Sequence, residues 1–195
     1  NTIMEIAHRN PGCDVDEVTS TLKLATQRII APAYMDGGMG DSGPCHPRDA
    51  IAMSWLADKL FLSCNIFDEV MYAREDQTKW LVDLFIKAAG DLPKFCLGRA
   101  YKPESNLTDG SCGLLVADIL TKANIQHISY DPYTDGIDAG EHLLDRPGAY
   151  LICTKHQCFV SWAFPPGSVV VDVFCYLKPQ PGVKIIGVGK GALHA

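Results

Sequence analysis

The stretch AYLICT at residues 149–154 decides the fold class, because it is short, apolar and rich in residues that favour β-strands. Two similar runs follow it, VVVDV at residues 169–173 and VKIIGV at residues 183–188. Continuous apolar runs of this length are typical of parallel strands covered on both faces, whereas half-exposed strands alternate apolar and polar residues. The three runs therefore predict a buried parallel sheet.

Two further strands are predicted upstream of these runs, at residues 95–98 and 125–130. A helix is predicted between them over residues 111–123, with apolar residues along one side. Strands that alternate with helices along the chain indicate an α/β layer structure. The sequence therefore predicts an α/β domain over residues 91–195.

The first 90 residues have the spacing of helices. Asp14 with Glu17 three residues later has the form of a capping box, and it opens a helix in which apolar residues recur every three or four positions. These residues are Val15, Val18, Leu22, Ala25 and Ile29. A second helix is predicted to begin at Pro47, whose missing N–H suits a first turn. A third helix is predicted over residues 67–88, with Gly90 as its end. We therefore predict a helical domain over residues 1–90.

The composition excludes several classes of protein. The 195 residues carry a net charge of −6, which argues against the basic surface that non-specific nucleic-acid binding requires. No apolar run approaches the roughly 18 to 20 residues of a membrane-spanning helix, and residues 1–10 do not resemble a signal peptide. A soluble, cytoplasmic protein without a nucleic-acid or membrane partner is expected.

The eight cysteines do not indicate a disulfide framework or a metal site. They form no CxxC pair, and without an export signal free thiols are the expected state. Cys153, His156 and Cys158 are close in sequence, but no second pair of ligands follows at zinc-finger spacing. We predict no bound metal.

The segment GPCHPRD at residues 43–49 is the strongest candidate for chemistry. Cys45 stands just before a predicted helix start, where unpaired N–H groups and the helix dipole stabilise a thiolate. Arg48 adds positive charge, and Asp49 is a carboxylate that could orient a water molecule. The alternative is a buried structural cysteine at a tight turn.

Two glycine-rich stretches have different interpretations. GVGKG at residues 187–191 follows a strand, but too few residues come after it for the helix that a dinucleotide site needs. The loop at residues 36–43 lacks the Lys-Ser or Lys-Thr of a phosphate-binding loop. Its glycines allow either a close approach to a ligand or a left-handed turn. They are Gly37, Gly38, Gly40 and Gly43.

Candidate ligand contacts also stand at the ends of predicted strands. Parallel sheets bind ligands at the carboxyl ends of their strands. Lys102 follows the strand at residues 95–98, where it could meet a phosphate or be an ordinary solvated lysine. Asp131 follows the next strand and is either a ligand contact or a helix cap.

Read in order, these segments resemble the central and C-terminal regions of the UDP-glucose/GDP-mannose dehydrogenase family. The glycine-rich loop into CHPRD resembles that family's catalytic Cys-x-x-Lys-Asp segment, and GRAYKP at residues 98–103 and YDP at residues 130–132 resemble its strand ends. The resemblance implies a helical central segment that forms a dimer, followed by a Rossmann-like parallel-sheet domain that binds a nucleotide sugar. It also implies that the family's NAD-binding domain is missing, so that the chain is a fragment.

The resemblance assigns a role to each candidate residue. Cys45 is implied to be the nucleophile in the oxidation of the sugar C6 alcohol to a carboxylate, and Asp49 to position the water. The backbone of residues 37–43 is implied to hold the sugar, with Tyr101 and Lys102 beside the nucleotide. Further contacts are implied for Arg28, Tyr34 and Asp131 with the substrate and for Arg48 with NAD.

The sequence departs from the family pattern at two positions, and two other functions remain as alternatives. Arg48 replaces the family's lysine, and Asp109 stands where many members have arginine. The rival functions are a nucleotide-sugar-binding module without catalysis and a purely structural dimerisation fragment.

Overall fold

The computed structural model describes residues 2–25, 35–40 and 42–191. Six α-helices are described within these ranges: α1 (Thr2–Arg9), α2 (Val15–Lys23), α3 (Cys45–Lys59), α4 (Ile66–Ala89), α5 (Cys112–Lys122) and α6 (Pro132–Asp135). The strands are β1 (Lys94–Leu97), β2 (Ile128–Tyr130), β3 (Ala149–Ile152), β4 (Val169–Asp172) and β5 (Lys184–Gly187). Two 3₁₀-helices, Asp138–Leu144 and Gln157–Ser161, complete the described elements.

The five strands form one sheet in the order β2-β1-β3-β4-β5, and every neighbouring pair is parallel. Phe95 in β1 stands opposite Ile128 on one side and Tyr150 on the other. The middle strand β3 is buried at all four positions, as the apolar run predicts. The α/β class with a parallel sheet is therefore confirmed, and all carboxyl ends of the strands lie along one edge.

The helices of the first half differ from the prediction in two places. Helix α2 ends at Lys23. Of its apolar stripe Val15 is buried, but Val18 and Leu22 are 42% and 37% exposed, so the described residues cover only the start of the stripe. Helix α3 begins at Cys45 rather than at Pro47. Pro47 is tolerated as the third residue of α3 because the first N–H groups of a helix have no acceptor within the helix. Cys45 is therefore the first residue of the helix instead of the residue before it. The last predicted position of the α2 stripe, Ile29, lies outside the described residues.

One hydrophobic core joins the first helices to the sheet. Met4 of α1, Val15 of α2 and Phe85 of α4 belong to the same buried cluster as Leu151 of β3 and Val171 of β4. Helix α4 also packs on α5. The sequence changes from helical spacing to strand-like apolar runs near residue 90, but one hydrophobic core includes residues from both sides of that point. The division into domains 1–90 and 91–195 remains a prediction.

Candidate nucleotide-sugar site

A cleft of about 300 Å³ lies at the carboxyl ends of β1 and β3. The chain leaves β1 toward β2 on one side, whereas β3 lies on the other, so this is where the strand order reverses. Open parallel sheets bind their ligands at such a point. The cleft is lined by Asp36, Gly37, Gly38, Met39, Gly40, Ser42, Tyr101, Pro103, Cys153, Thr154, Lys155 and Phe174. Two segments that are far apart in sequence, residues 36–42 and 101–103, therefore meet in one cleft.

Hydrogen bonds to neighbouring helices hold the glycine-rich loop in place. Gln77 Nε2 of α4 donates to the Gly38 carbonyl at 3.1 Å, and Cys112 Sγ of α5 donates to the Gly40 carbonyl at 3.3 Å. Gly43 has a φ of 97°, and a Cβ there would lie 3.1 Å from Tyr101 Cδ2. Glycine is required at this position because the backbone is left-handed and the tyrosine ring packs directly on it. Three of the four predicted glycines line the cleft, and the fourth supports Tyr101.

Cys45 is exposed at the first position of α3, and its first helical turn contains no acidic residue. It does not itself line the cleft, but it follows Ser42, which does, by three residues. Arg48 Nε donates to Asp49 Oδ1 at 2.8 Å. This hydrogen bond lowers the pKa of Asp49 and raises that of Arg48. The resemblance implies that Asp49 positions the water and that Arg48 contacts NAD. In the structure these two residues are hydrogen-bonded to each other.

Two lysines lie near the cleft, one of which sequence reasoning missed. Lys102 is exposed, with its Nζ 5.5 Å from the centre of the Tyr101 ring, and it stands next to the lining. Lys155 lines the cleft directly, and its Nζ lies 5.7 Å from the Tyr176 ring. It directly follows the predicted strand at residues 149–154, and a place just beyond a strand is the same signal that selected Lys102.

Asp131 takes the second of the two places that the sequence left open, that of a helix cap. Its side chain is fully buried, and its Oδ1 accepts from the amide of Tyr133 at 2.9 Å as the cap of α6. Burial raises its pKa, but hydrogen bonds from His156 and the amides of Arg99 and Ala100 outweigh burial and lower the pKa overall. A direct contact with substrate needs an exposed carboxylate, so the assignment of Asp131 as a ligand contact is corrected to a support of the loop.

A second buried aspartate, which the sequence did not single out, shapes the far wall of the cleft. Asp172 ends β4 and accepts hydrogen bonds from the amides of Phe174, Tyr176 and Leu177 at 2.8–3.0 Å. Burial nevertheless raises the pKa of this carboxyl. The turn that it holds places the Phe174 ring against Gly38, where a Cβ would lie 3.1 Å from Phe174 Cε1.

The remaining predicted contacts lie outside the cleft or outside the described residues. Arg28 and Tyr34 lie in the range 26–34, which the structure does not describe. Asp109, at the position of the family's arginine, is exposed. It precedes Gly110, whose carbonyl accepts from the Gly43 amide at 3.0 Å.

The glycine-rich turn at residues 187–191 does not fit a dinucleotide. The glycines at 187–191 pack on the first helices, since a Cβ at Gly189 would lie 2.6 Å from Val15 Cγ1. Lys190 Nζ donates to Asp14 Oδ1 at 2.5 Å, and the amide of Val15 donates to the Gly189 carbonyl at 3.0 Å. These contacts occupy the backbone that a dinucleotide would need.

Three further findings concern the described ranges. No group of three or more His, Cys, Asp or Glu side chains within them is placed to hold a metal ion. None of the helices in that part of the chain is long and apolar enough to cross a membrane. No disulfide joins the eight cysteines, all of which the structure describes.

Comparisons with known proteins point to one family. Residues 1–75 match the model of the UDP-glucose/GDP-mannose dehydrogenase family, central domain. The UDP-glucose 6-dehydrogenase TuaD of Bacillus subtilis (strain 168) is 26% identical over 135 residues, which are 68% of this chain and 29% of TuaD. This match therefore spans less than a third of that relative.

Solved structures share the fold over almost the whole chain. The UDP-glucose dehydrogenase of Pyrobaculum islandicum is 24% identical with a TM-score of 0.75, and the match covers 98% of this chain and 47% of that one. The UDP-D-ManNAc dehydrogenase of Pyrococcus horikoshii is 20% identical with a TM-score of 0.73, covering 97% and 47%. The resemblance seen in the sequence is confirmed: residues 1–75 match the central domain of the UDP-glucose/GDP-mannose dehydrogenase family, and the chain has the fold of about half of a nucleotide-sugar dehydrogenase.

Proposed function

We propose that the chain is the substrate-binding and catalytic-thiol part of a cytoplasmic, NAD-dependent nucleotide-sugar 6-dehydrogenase. The observation that carries this proposal is the meeting of two segments in one cleft at the reversal of strand order. One segment leads into Cys45, and the other contains Tyr101 and leads into Lys102. NAD, which accepts hydride in such enzymes, would be held mainly by a domain outside this chain.

The strand-end side of the cleft suits the nucleotide part of the substrate. A diphosphate is strongly negative, so a protein with a net charge of −6 must supply local cations. Lys155 lines the cleft and Lys102 stands beside it. Both would supply positive charge to the phosphate oxygens of a nucleotide bound there. The Tyr101 ring packs on Gly43 and lies 5.5 Å from Lys102 Nζ, so it adds a flat surface beside the glycine-rich loop.

The loop side of the cleft suits the sugar. Oxidation of the C6 alcohol produces an aldehyde, and the Cys45 sulfur would add to its carbon to form a thiohemiacetal. Loss of a second hydride leaves a thioester, in which water attacks the same carbon and the carbon–sulfur bond breaks to release the carboxylate and the thiol. Asp49 Oδ1 is bonded to Arg48, so a water positioned by this carboxylate would be held through its other oxygen.

An NMR titration with UDP tests the nucleotide assignment. We expect wild type to bind UDP weakly, with shifts at residues 98–103 and 153–155. Lys102→Ala and Lys155→Ala should each weaken binding by about 1–3 kcal/mol, the range for a charge-assisted hydrogen bond. Added salt should weaken binding further because partly exposed charges are screened. Lys122→Ala, which removes a surface ion pair with Asp118 on α5, is the control. Chemical-shift changes on UDP addition that lie outside both segments would contradict the assignment.

We also propose that the face formed by α3, α4 and the turn between them packs against a second copy. Many of its large apolar side chains are exposed, including Ile51, Trp55, Leu60, Phe61, Ile66 and Tyr72. Apolar surface of this extent on a globular protein usually marks an interaction site. A homodimer through the central helices is what the family resemblance implies.

Sedimentation equilibrium tests the dimer. Trp55 is 62% exposed, and we expect Trp55→Glu to weaken association by about 2 kcal/mol or more, as for a central interface residue. Leu114→Glu is the matched control, because Leu114 is an exposed apolar residue of α5, which is not part of the proposed face. Equal weakening by both variants, or a wild type that stays monomeric at high concentration, would count against this face.

A further inference from the structure

A buried aspartate and histidine bridge the carboxyl end of β1. Asp131 follows β2 and His156 follows β3, the two neighbours of β1 in the sheet. Both side chains are 0% exposed, and His156 Nε2 lies 3.1 Å from Asp131 Oδ2. Neither group can touch a ligand, so any role in binding must act through the residues that the pair holds.

Asp131 holds the first part of the segment that leaves β1. Its Oδ2 accepts from the amide of Arg99 at 2.6 Å and from the amide of Ala100 at 2.8 Å. Thr154, beside the pair, donates from Oγ1 to the Ala100 carbonyl at 2.7 Å. Both the amide and the carbonyl group of Ala100 are therefore hydrogen-bonded where the segment leaves β1.

His156 holds the other end of the same segment. The amide of Glu104 donates to His156 Nδ1 at 3.1 Å, and the amide of Gln157 donates to the Glu104 carboxylate at 2.7 Å. A backbone N–H can only donate, so Nδ1 must carry a lone pair. The ring proton of the neutral imidazole then lies on Nε2 and is donated to Asp131.

Tyr101 and Lys102 lie between these two anchors. The amide of Tyr101 is also bonded, to the Leu107 carbonyl at 2.9 Å, and its ring packs on Gly43 in the loop that precedes Cys45. A segment that is already ordered loses less conformational entropy when a ligand binds. The buried pair is thus connected through the backbone to both sides of the cleft.

We propose that Asp131 and His156 are positioning residues that fix Tyr101 and Lys102 for the binding of a nucleoside diphosphate. This inference rests on the proposed function, since it takes the cleft as the nucleotide site. It assigns His156 the neutral form with its proton on Nε2, a property that can be measured without any ligand.

Two variants of His156 separate its two hydrogen bonds, and a third variant elsewhere is the control. His156→Phe keeps a ring of similar shape and loses both bonds. His156→Asn keeps an acceptor near the position of Nδ1 for the Glu104 amide but loses the donor to Asp131. Tyr150→Phe is the control, because it removes a different buried bond of the sheet, from Tyr150 Oη to the Leu143 carbonyl at 2.7 Å.

The UDP titration is repeated on these variants. We expect His156→Phe to weaken UDP binding about tenfold through loss of the ordered segment, His156→Asn to recover part of that loss, and Tyr150→Phe to bind as wild type. If His156→Phe does not fold, His156→Asn carries the test with an intermediate loss. Affinity equal to wild type in the folded His156 variants would overturn the proposal.

Two ligand-free measurements distinguish this inference from the proposed function. Nitrogen NMR of the His156 ring should show a protonated Nε2 and a bare Nδ1, and a proton on Nδ1 would overturn the inference. Hydrogen exchange of the Glu104 amide should be faster in His156→Phe than in wild type, and unchanged exchange would also overturn it. If wild type binds no UDP while both measurements come out as expected, the nucleotide assignment fails and the positioning of the segment stands.

Discussion

Limited alkylation with iodoacetamide is expected to modify Cys45 first among the eight cysteines. Three thiols are exposed, those of Cys13, Cys45 and Cys64. Cys45 opens the 15-residue helix α3, whose first turn has no acidic residue, and Arg48 follows it by three residues. Cys64 precedes α4, whose first turn contains Asp68 and Glu69. A thiolate is favoured by a helix N-terminus and disfavoured by nearby carboxylates. Asp49 also follows Cys45 by four residues, but it is paired with Arg48, so Cys45 should react about fivefold faster than Cys64.

Peptide mapping by mass spectrometry measures these rates. The buried Cys96 and Cys112 serve as internal references and should stay unmodified while the protein is folded. Arg48→Gln should slow the reaction of Cys45 and leave that of Cys13 unchanged, because only Cys45 is near this charge. Preferential labelling of Cys64 would contradict the catalytic-thiol proposal. Combined with UDP binding, that result would favour the nucleotide-sugar-binding module without catalysis.

The largest loss of stability is expected for Gly98→Ala. Gly98 follows β1 with a φ of 106°, and a Cβ there would lie 2.6 Å from the Thr154 amide nitrogen. A residue held at such a φ costs about 1–3 kcal/mol, and forcing atoms into a packed site costs about 1–3 kcal/mol more. The variant should therefore lose about 2–6 kcal/mol, a large part of the stability of an ordinary domain.

Gly136→Ala separates the two causes of this loss. Gly136 has a φ of 92°, yet no heavy atom lies within 4 Å of a Cβ built there. Its substitution should cost only the backbone strain. Urea unfolding of both variants and wild type gives the comparison. If Gly98→Ala is no more destabilising than Gly136→Ala, Gly98 is not packed tightly against Thr154.

The sequence predicted those elements whose residues carry their own local signal. Helix α4 and helix α5 occur close to the predicted ranges, and Asn65 and Ser111 cap them through their side chains. The strands were also predicted. Four of them are shorter than their apolar runs, and β1 is shifted by one residue. Cys153 and Thr154, for example, belong to the apolar run but lie after the end of β3, where they line the cleft. Such ends depend on pairing with distant residues, which a local pattern does not contain.

The sequence by itself determined the fold class, the family resemblance and the candidate thiol. Apolar runs report burial on both faces of a sheet, and the order of the segments 43–49, 98–103 and 130–132 is specific enough to carry the resemblance. These features depend on residue type and spacing along the chain, which are visible without coordinates.

Only the tertiary structure decided which polar residues face the cleft and which hold it together. Asp131 and Lys102 both follow predicted strands, yet Asp131 is fully buried and Lys102 is exposed. Lys155 and His156 are adjacent in sequence, but one lines the cleft and the other is enclosed beneath it. The difference arises because burial and hydrogen-bond partners are set by residues from other strands. His156, for instance, receives its partners from Glu104 and Asp131, which lie 52 and 25 positions away.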